Sequence, residues 1–449
     1  MSNSDALWFM YGQQILKLAA PAFDPTKQQF GLASTTLVVD LGNANSEVVN
    51  DYVYQIGNTI PAASPAYVPG SSLLTAYRAF LDSIDLGGDP NPNLDSLINQ
   101  ATATLNAAQS NYLSVQSQAV TAWQTYKAIN PNISFSDYVT QQFPIYIQAK
   151  NALSGAESKY ETLMTQRYGV GYEIIAGARD NVSATGGAAD LTMKNAFNMA
   201  IKTGAVAAPG GVPVLPGQTP PAASASLVES FAPAFSMDGF AAKYAEWQAA
   251  SGGGAGSAAT VHVTGDAGSA DWEAMGWSVE AAVGVGFDFF EAFGEHDASS
   301  DTETAFSTTS NFDMEISFLG LGAFSVAPGS WFDDGLIASY KSKLLPNSPN
   351  LFGPGGSLAR MPYQALIGFQ PTIKMSMSTG DYSSFKSTYQ SETTTGFGFG
   401  PFVVGETHSS TYANKSAVAY DDASSTITIA PPPSTLPLLL GVISARLDV

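Results

Sequence analysis

A chain of 449 residues is longer than one core usually organises, which implies two or three domains. Only 12% of its residues are charged, and 38 Asp and Glu against 18 Lys and Arg leave a net charge of −20, which disfavours DNA, RNA and anionic membrane surfaces as partners. The absence of cysteine excludes disulfides, thiolate metal sites and cysteine nucleophiles.

Met1 to Ala6 carries Asp5 and no Lys or Arg, and Gln13, Gln14 and Lys17 interrupt the apolar run that follows, so no signal peptide is expected. No window holds about 18 uninterrupted apolar residues, so no transmembrane helix is expected and the chain reads as soluble. Leu7 to Leu18 predicts a short helix, Thr36 to Asp40 a strand, and Ser71 to Ile84 a second helix with Leu73, Leu74, Tyr77, Phe80, Leu81 and Ile84 at helical spacing.

From Leu94 to Ile129 the pattern is the most regular in the chain. Leu94, Ile98, Ala101, Leu105, Ala108, Tyr112, Val115, Ala119, Ala122, Tyr126 and Ile129 follow alternating steps of four and three. That is the heptad rhythm of a helix presenting one seam to a partner. At roughly 1.5 Å per residue the rod is about 54 Å long. No charged residue occurs from Ser96 to Tyr126. Asn93 or Asp95 is the expected cap, and Asn130-Pro131-Asn132 the stop.

Ser134 or Ser136 can cap a further helical stretch, which Pro144 kinks or restarts. Tyr146, Ala149, Leu153, Ala156, Tyr160, Leu163 and Arg167 then repeat the three-four rhythm, which predicts an antiparallel hairpin of 94–129 with 146–167. Alanine seams bury little area, and the Ser, Thr, Asn and Gln of the other faces can be covered without stranding charge. Much of the long helix is therefore expected to be buried, in its own domain or in an oligomer contact.

Leu191 to Ile201 reads as a short helix. Ala207 to Ala225, with Pro209, Pro213, Pro216, Pro220 and Pro221, reads as a linker, followed by a helix over Ser236 to Ala249. The period then changes to two, at Val279–Phe289 and Phe312–Phe318, with further strands at Thr372–Ser378, Gly396–Thr407, Thr426–Ala430 and Leu438–Ser444. The expected fold is α+β: a mainly helical part at 1–206, a Pro/Gly/Ala-rich linker at 207–257, and an acidic, antiparallel β-rich part at 258–449 forming a sandwich or open barrel.

Recognisable catalytic chemistry is scarce. His262, His296 and His408 sit in no motif, and His-Glu-x-x-His, Gly-x-Ser-x-Gly and the phosphate loop are absent. Gly396-Phe-Gly-Phe-Gly400 lacks the strand-turn-helix context of a nucleotide loop and reads as a flat strand face. Between Lys243 and Lys341 there is no Lys or Arg but many acids, read mainly as a solvated sheet face. Within it Glu295, Asp297, Asp301 and Glu303 form an oxygen-rich loop suited to Ca²⁺, though without EF-hand spacing; no other cofactor is expected. Acidic pairs such as Glu291/Glu295 or Asp333/Asp334 carry little weight in so acidic a chain. Tyr382 to Tyr420 is rich in Ser and Thr and alternates as membrane-inserting β-hairpins do, and as any exposed antiparallel sheet does.

Three functional readings follow. The first is a non-enzymatic interaction or self-assembly protein, with a protein partner or a second copy of the chain and no nucleic acid. The second is a pore-forming or membrane-active protein that does not rely on attraction to anionic lipid. The third is a carboxylate-based enzyme without a recognisable motif.

Overall fold

The computed structural model describes residues 3–38, 46–62, 64–67, 69–87, 91–127, 130, 133, 135–186, 194–203, 228–251, 259–265, 268–278, 289–294, 312–353, 355–390, 394–405, 411–413, 417–430 and 437–447. In chain order the first elements are Asn3–Ala19 (α1), Gln28–Val38 (β1), Ser46–Gly57 (α2), Thr59–Pro61 (β2), Pro69–Ser72 (β3) and Leu73–Asp82 (α3). Four helices follow: Pro92–Lys127 (α4), Phe135–Gln141 (α5), Pro144–Tyr168 (α6) and Val170–Ala184 (α7). Next come Asn198–Thr203 (β4), Val228–Pro233 (β5), Phe235–Met237 (β6), Phe240–Ala250 (α8), Ala259–Thr264 (β7) and Phe290–Gly294 (β8). Phe312–Pro328 (β9), Asp334–Tyr340 (α9), Arg360–Met377 (β10) and Thr379–Gln390 (α10) form the central stretch of the second half. Thr394–Phe399 (β11), Phe402–Gly405 (β12), Thr411–Ala413 (β13), Val418–Asp421 (β14), Thr426–Ile429 (β15) and Pro437–Arg446 (β16) end it. The class is α+β.

The ribbon of β9 and β10 is the centre of the molecule, antiparallel from Gln364 against Ser325 to Met377 against Phe312. At one end β16 and then β1 lie beyond β10, and β6 lies beyond β9. At the other end β15 and β14 flank β10 while β7 flanks β9. The four strands β13-β12-β11-β8 make a separate sheet.

Period-two alternation explains the ribbon's burial. Phe312, Met314, Ile316 and Phe318 turn inward while Asp313 is exposed and Glu315 half-buried. They join Trp8, Tyr11 and Ile15 of α1, Val261 and Val263 of β7, and Phe397, Phe399 and Phe402 of the smaller sheet in a first core. A second core lies toward the β6 end, where Phe324, Val326, Ile367 and Phe369 meet α2, α3, α7 and α8. Trp247 of α8 stacks on Phe369 with centroids 6.0 Å apart. Gly320 makes room for it, since a Cβ there would lie 2.4 Å from the indole ring. A third, smaller core belongs to α4, α5 and α6.

Several expectations are revised. Residues 198–201, expected to end the helix over Leu191 to Ile201, lie instead in β4, which pairs with β5. Asn195 starts that turn, its side-chain oxygen accepting the backbone N–H of Phe197 and Asn198, a local bond that competes with helix. Gly396–Thr407 is two strands rather than one, because Gly400, at φ 53°, and Pro401 turn the chain between β11 and β12. Residues 382–390 are not a strand but part of α10, whose Tyr382 and Phe385 are buried. The expected strand over Val279–Phe289 lies largely outside the described residues. The sheet also spans the expected parts, since β1 pairs with β16 and the 207–257 segment supplies β5, β6 and α8.

Candidate functional site

The hairpin is where sequence and structure agree most closely. Asn91, rather than Asn93 or Asp95, caps α4: its side chain accepts the N–H of Leu94 at 3.2 Å, with Pro92 in the first turn. α6 restarts at Pro144. The two helices run antiparallel, with Asp95 paired to Arg167 at 2.8 Å near one end and the hydroxyls of Tyr112 and Tyr146 3.0 Å apart further along. Every seam residue from Leu94 to Tyr126 is at least half-buried.

The far end of this arm has its own core. Val115, Ala119 and Trp123 of α4 close on Phe135, Tyr138 and Val139 of α5 and on Tyr146 and Ala149 of α6. The Trp123 indole donates to the Ile133 carbonyl at 3.1 Å, and its ring meets Phe135 edge-on at 5.6 Å. Large side chains are concentrated there and supply the apolar area that the seam's alanines do not.

Much of the rest of α4 is left uncovered by the described residues. Ser96, Asn99, Ala103, Asn106, Ser110, Ser114, Ser117 and Thr121 are exposed, as are Leu97 and Leu113. Of the two covers expected for this helix, its own domain or an oligomer contact, the chain itself supplies part: the seam, Gln116 and Trp123 are covered, because α5 and α6 are the elements that pack extensively on α4 among the described residues.

At the base of the arm a cavity of about 90 Å³ opens between α3, α4, α6 and α7. Arg78 and Asp82 line it from α3, Glu157, Tyr160 and Glu161 from α6, and Arg179 from α7. Arg179 is mostly buried; it pairs with Asp82, donates to the Tyr172 hydroxyl at 2.7 Å and lies 5.0 Å above the Tyr160 ring. Burial opposes its charge, but Asp82, Tyr160 and Tyr172 more than offset this, so it remains cationic. Its Nε finds no hydrogen-bond partner.

Glu161 has the opposite problem. Burial first, then the charge of Asp180, a hydrogen bond with Asp180 and the charge of Glu157 push its carboxyl up to about 7, against a smaller pull from Arg179. Glu157 is also raised, by burial, with Arg78 acting against the shift and Asp180 with it. Away from the arm, Asp51 of α2 is only 1% exposed, has an unpaired Oδ1, and is raised to about 6 by burial.

Glu295, Asp297, Asp301 and Glu303, the sequence's candidate Ca²⁺ ligands, lie outside the described residues, as do His296 and His408. Among the described residues no group of three or more His, Asp or Glu is placed to hold a metal ion, and no helix is long and apolar enough to cross a membrane. Asp333 has a structural role, capping α9 through the N–H groups of Gly335 and Leu336. Phe397 and Phe399 of the Gly-Phe stretch are buried against Phe385 of α10, in line with a flat strand face. Comparison with known proteins returns no matching family model, curated protein or solved structure.

Proposed function

We propose that the chain is a non-enzymatic assembly protein whose α4–α6 arm docks on a second copy of itself. The supporting observation is the outer face of α4, exposed and without a charged residue from Ser96 to Tyr126 in a chain of net charge −20. Acidic bodies repel, whereas two uncharged helix faces can meet without burying charge or opposing like charges. Leu97 and Leu113, exposed by 47% and 56%, add apolar area to that surface.

Light scattering against concentration, on the wild type and on a Ser110→Glu/Ser117→Glu variant, tests the reading. Association in the wild type that the two added charges abolish supports it; a wild type monomeric at high concentration overturns it. The enzyme alternative rests on the cavity at the arm's base, whose 90 Å³ is well below the roughly 300–1,000 Å³ of typical small-molecule pockets. The pore-forming alternative rests on Ser/Thr-rich strands, and residues 382–390 of that stretch are helical.

A further inference from the structure

The cavity at the arm's base lies across the joint between arm and body. α6 ends and α7 begins at Gly169, whose φ of 64° and ψ of −152° break the helix without an intervening loop. The other connection, between α3 and α4, contains Gly87 at φ 66°. Among the described residues, the arm's third core contains none from the body. Its attachment is the packing of α6 on α7, with Tyr160, Met164 and Tyr168 half-buried against the second core. An element with its own core and a glycine at its root can move as a unit.

Charge is unbalanced at this joint. Among the described residues, Asp82, Glu157 and Glu161 line the cavity with two guanidiniums: Arg179, which pairs with Asp82 and also draws on Glu161, and Arg78 of α3, which acts on Glu157; Asp180 of α7 adds its negative charge against both glutamates. α4 contributes only the uncharged Asn106 and Gln109, and the other polar groups are the hydroxyls of Tyr160 and Tyr172. Among the described residues four carboxylates thus meet two guanidiniums, and when the glutamates are ionised the excess negative charge repels between α6 and α7, the two helices that meet at Gly169.

We propose that this cluster is a proton-operated latch: protonation of the Glu157 and Glu161 carboxyls, which line the cavity beside Asp180, holds the α4–α6 arm against α3 and α7, and their ionisation lets the arm swing about Gly169. The closed form binds a proton more tightly than an open form in which Glu161 is solvated, so by linkage acid favours closure and alkali favours opening. Lowering the pH from 8 to 5 therefore raises the closed-to-open ratio. The latch does not depend on what the arm docks to, and its readout is intramolecular.

The chain has no cysteine, so spin labels can be placed only where Gln148→Cys on α6 of the arm and Ala242→Cys on α8 put them; both positions are exposed and neither lies on the outer face of α4. Double electron–electron resonance on this pair should give a single short distance at pH 5 and a longer or broader distribution at pH 8. Glu161→Gln and, separately, Asp180→Asn should keep the short distance at both pH values, with far-UV circular dichroism unchanged. A wild-type distribution identical at pH 5 and pH 8, or full pH dependence retained in both variants, overturns the proposal.

Discussion

The arm and the β9–β10 ribbon are both long antiparallel pairs, yet they reach stability by opposite routes. In the ribbon, residues 365–369 of β10 are buried on both faces, and Phe369 alone meets the rings of Tyr244 and Trp247. In the arm, one seam is covered, much of it alanine, and the large side chains gather at the far end. Each fully buried large apolar side chain contributes about 1.5–3 kcal/mol, so the ribbon can hold two cores together while the arm holds little beyond itself. Length of contact does not measure strength; the size of what is buried along it does.

That contrast can be broken by substitution. Phe369→Ala should cost about 3–5 kcal/mol and lower the denaturant midpoint of the whole body, read by tryptophan fluorescence. Trp123→Ala should cost about 3 kcal/mol but only locally: hydrogen exchange should quicken in α4–α6 and stay unchanged in β9, β10 and β16. If β10 also exchanged faster, arm and body would be one cooperative unit and the contrast would fail.

Asp51 sharpens the comparison through pH, because it is a titratable group sealed within the body. Its folded-state pKa of about 6 lies above the unfolded value, so it contributes stability that is fully present below pH 4 and lost as pH rises through 6. Asp51→Asn should therefore raise stability at pH 8 by about 1–2 kcal/mol and leave it unchanged at pH 4, as measured by urea titration at the two values. Side-chain hydrogen bonds hold Asp24, Asp421 and Asp422 below the usual carboxylate range, so their contribution runs the other way, present above pH 4 and lost below it. The smallest effect belongs to the arm's outer face, where Ser110→Ala should change the melting free energy by less than about 0.5 kcal/mol.

How much of this was legible in the sequence depended on how local the cause was. The seam of α4 and α6 could be read from spacing alone, since a helix imposes its period on every residue that touches its mate. So could the inward Phe312, Met314, Ile316 and Phe318 of β9. α10 was missed because Ser, Thr and Tyr suit an exposed strand as well as a helix, and what decides is the packing of Tyr382 and Phe385 on the first core. The cavity was not legible as a site, since its lining comes from four helices brought together only by folding. The one local hint was Glu157 and Glu161, one turn apart on the flank of the α6 seam. The Ca²⁺ reading falls outside the described residues and is unaffected by the rest.

The pairing of β1 with β16 also has a consequence for synthesis. Gln28 meets Ala445, so the first strand leaves the ribosome long before its neighbour exists. At about 5–20 residues per second it waits roughly 20–80 s with an open edge. The arm's internal packing joins residues near in sequence, the Asp95–Arg167 pair spanning 72 positions, and can be complete well within that interval. During translation the least firmly anchored part of the molecule is therefore the first to be finished, and the central sheet the last.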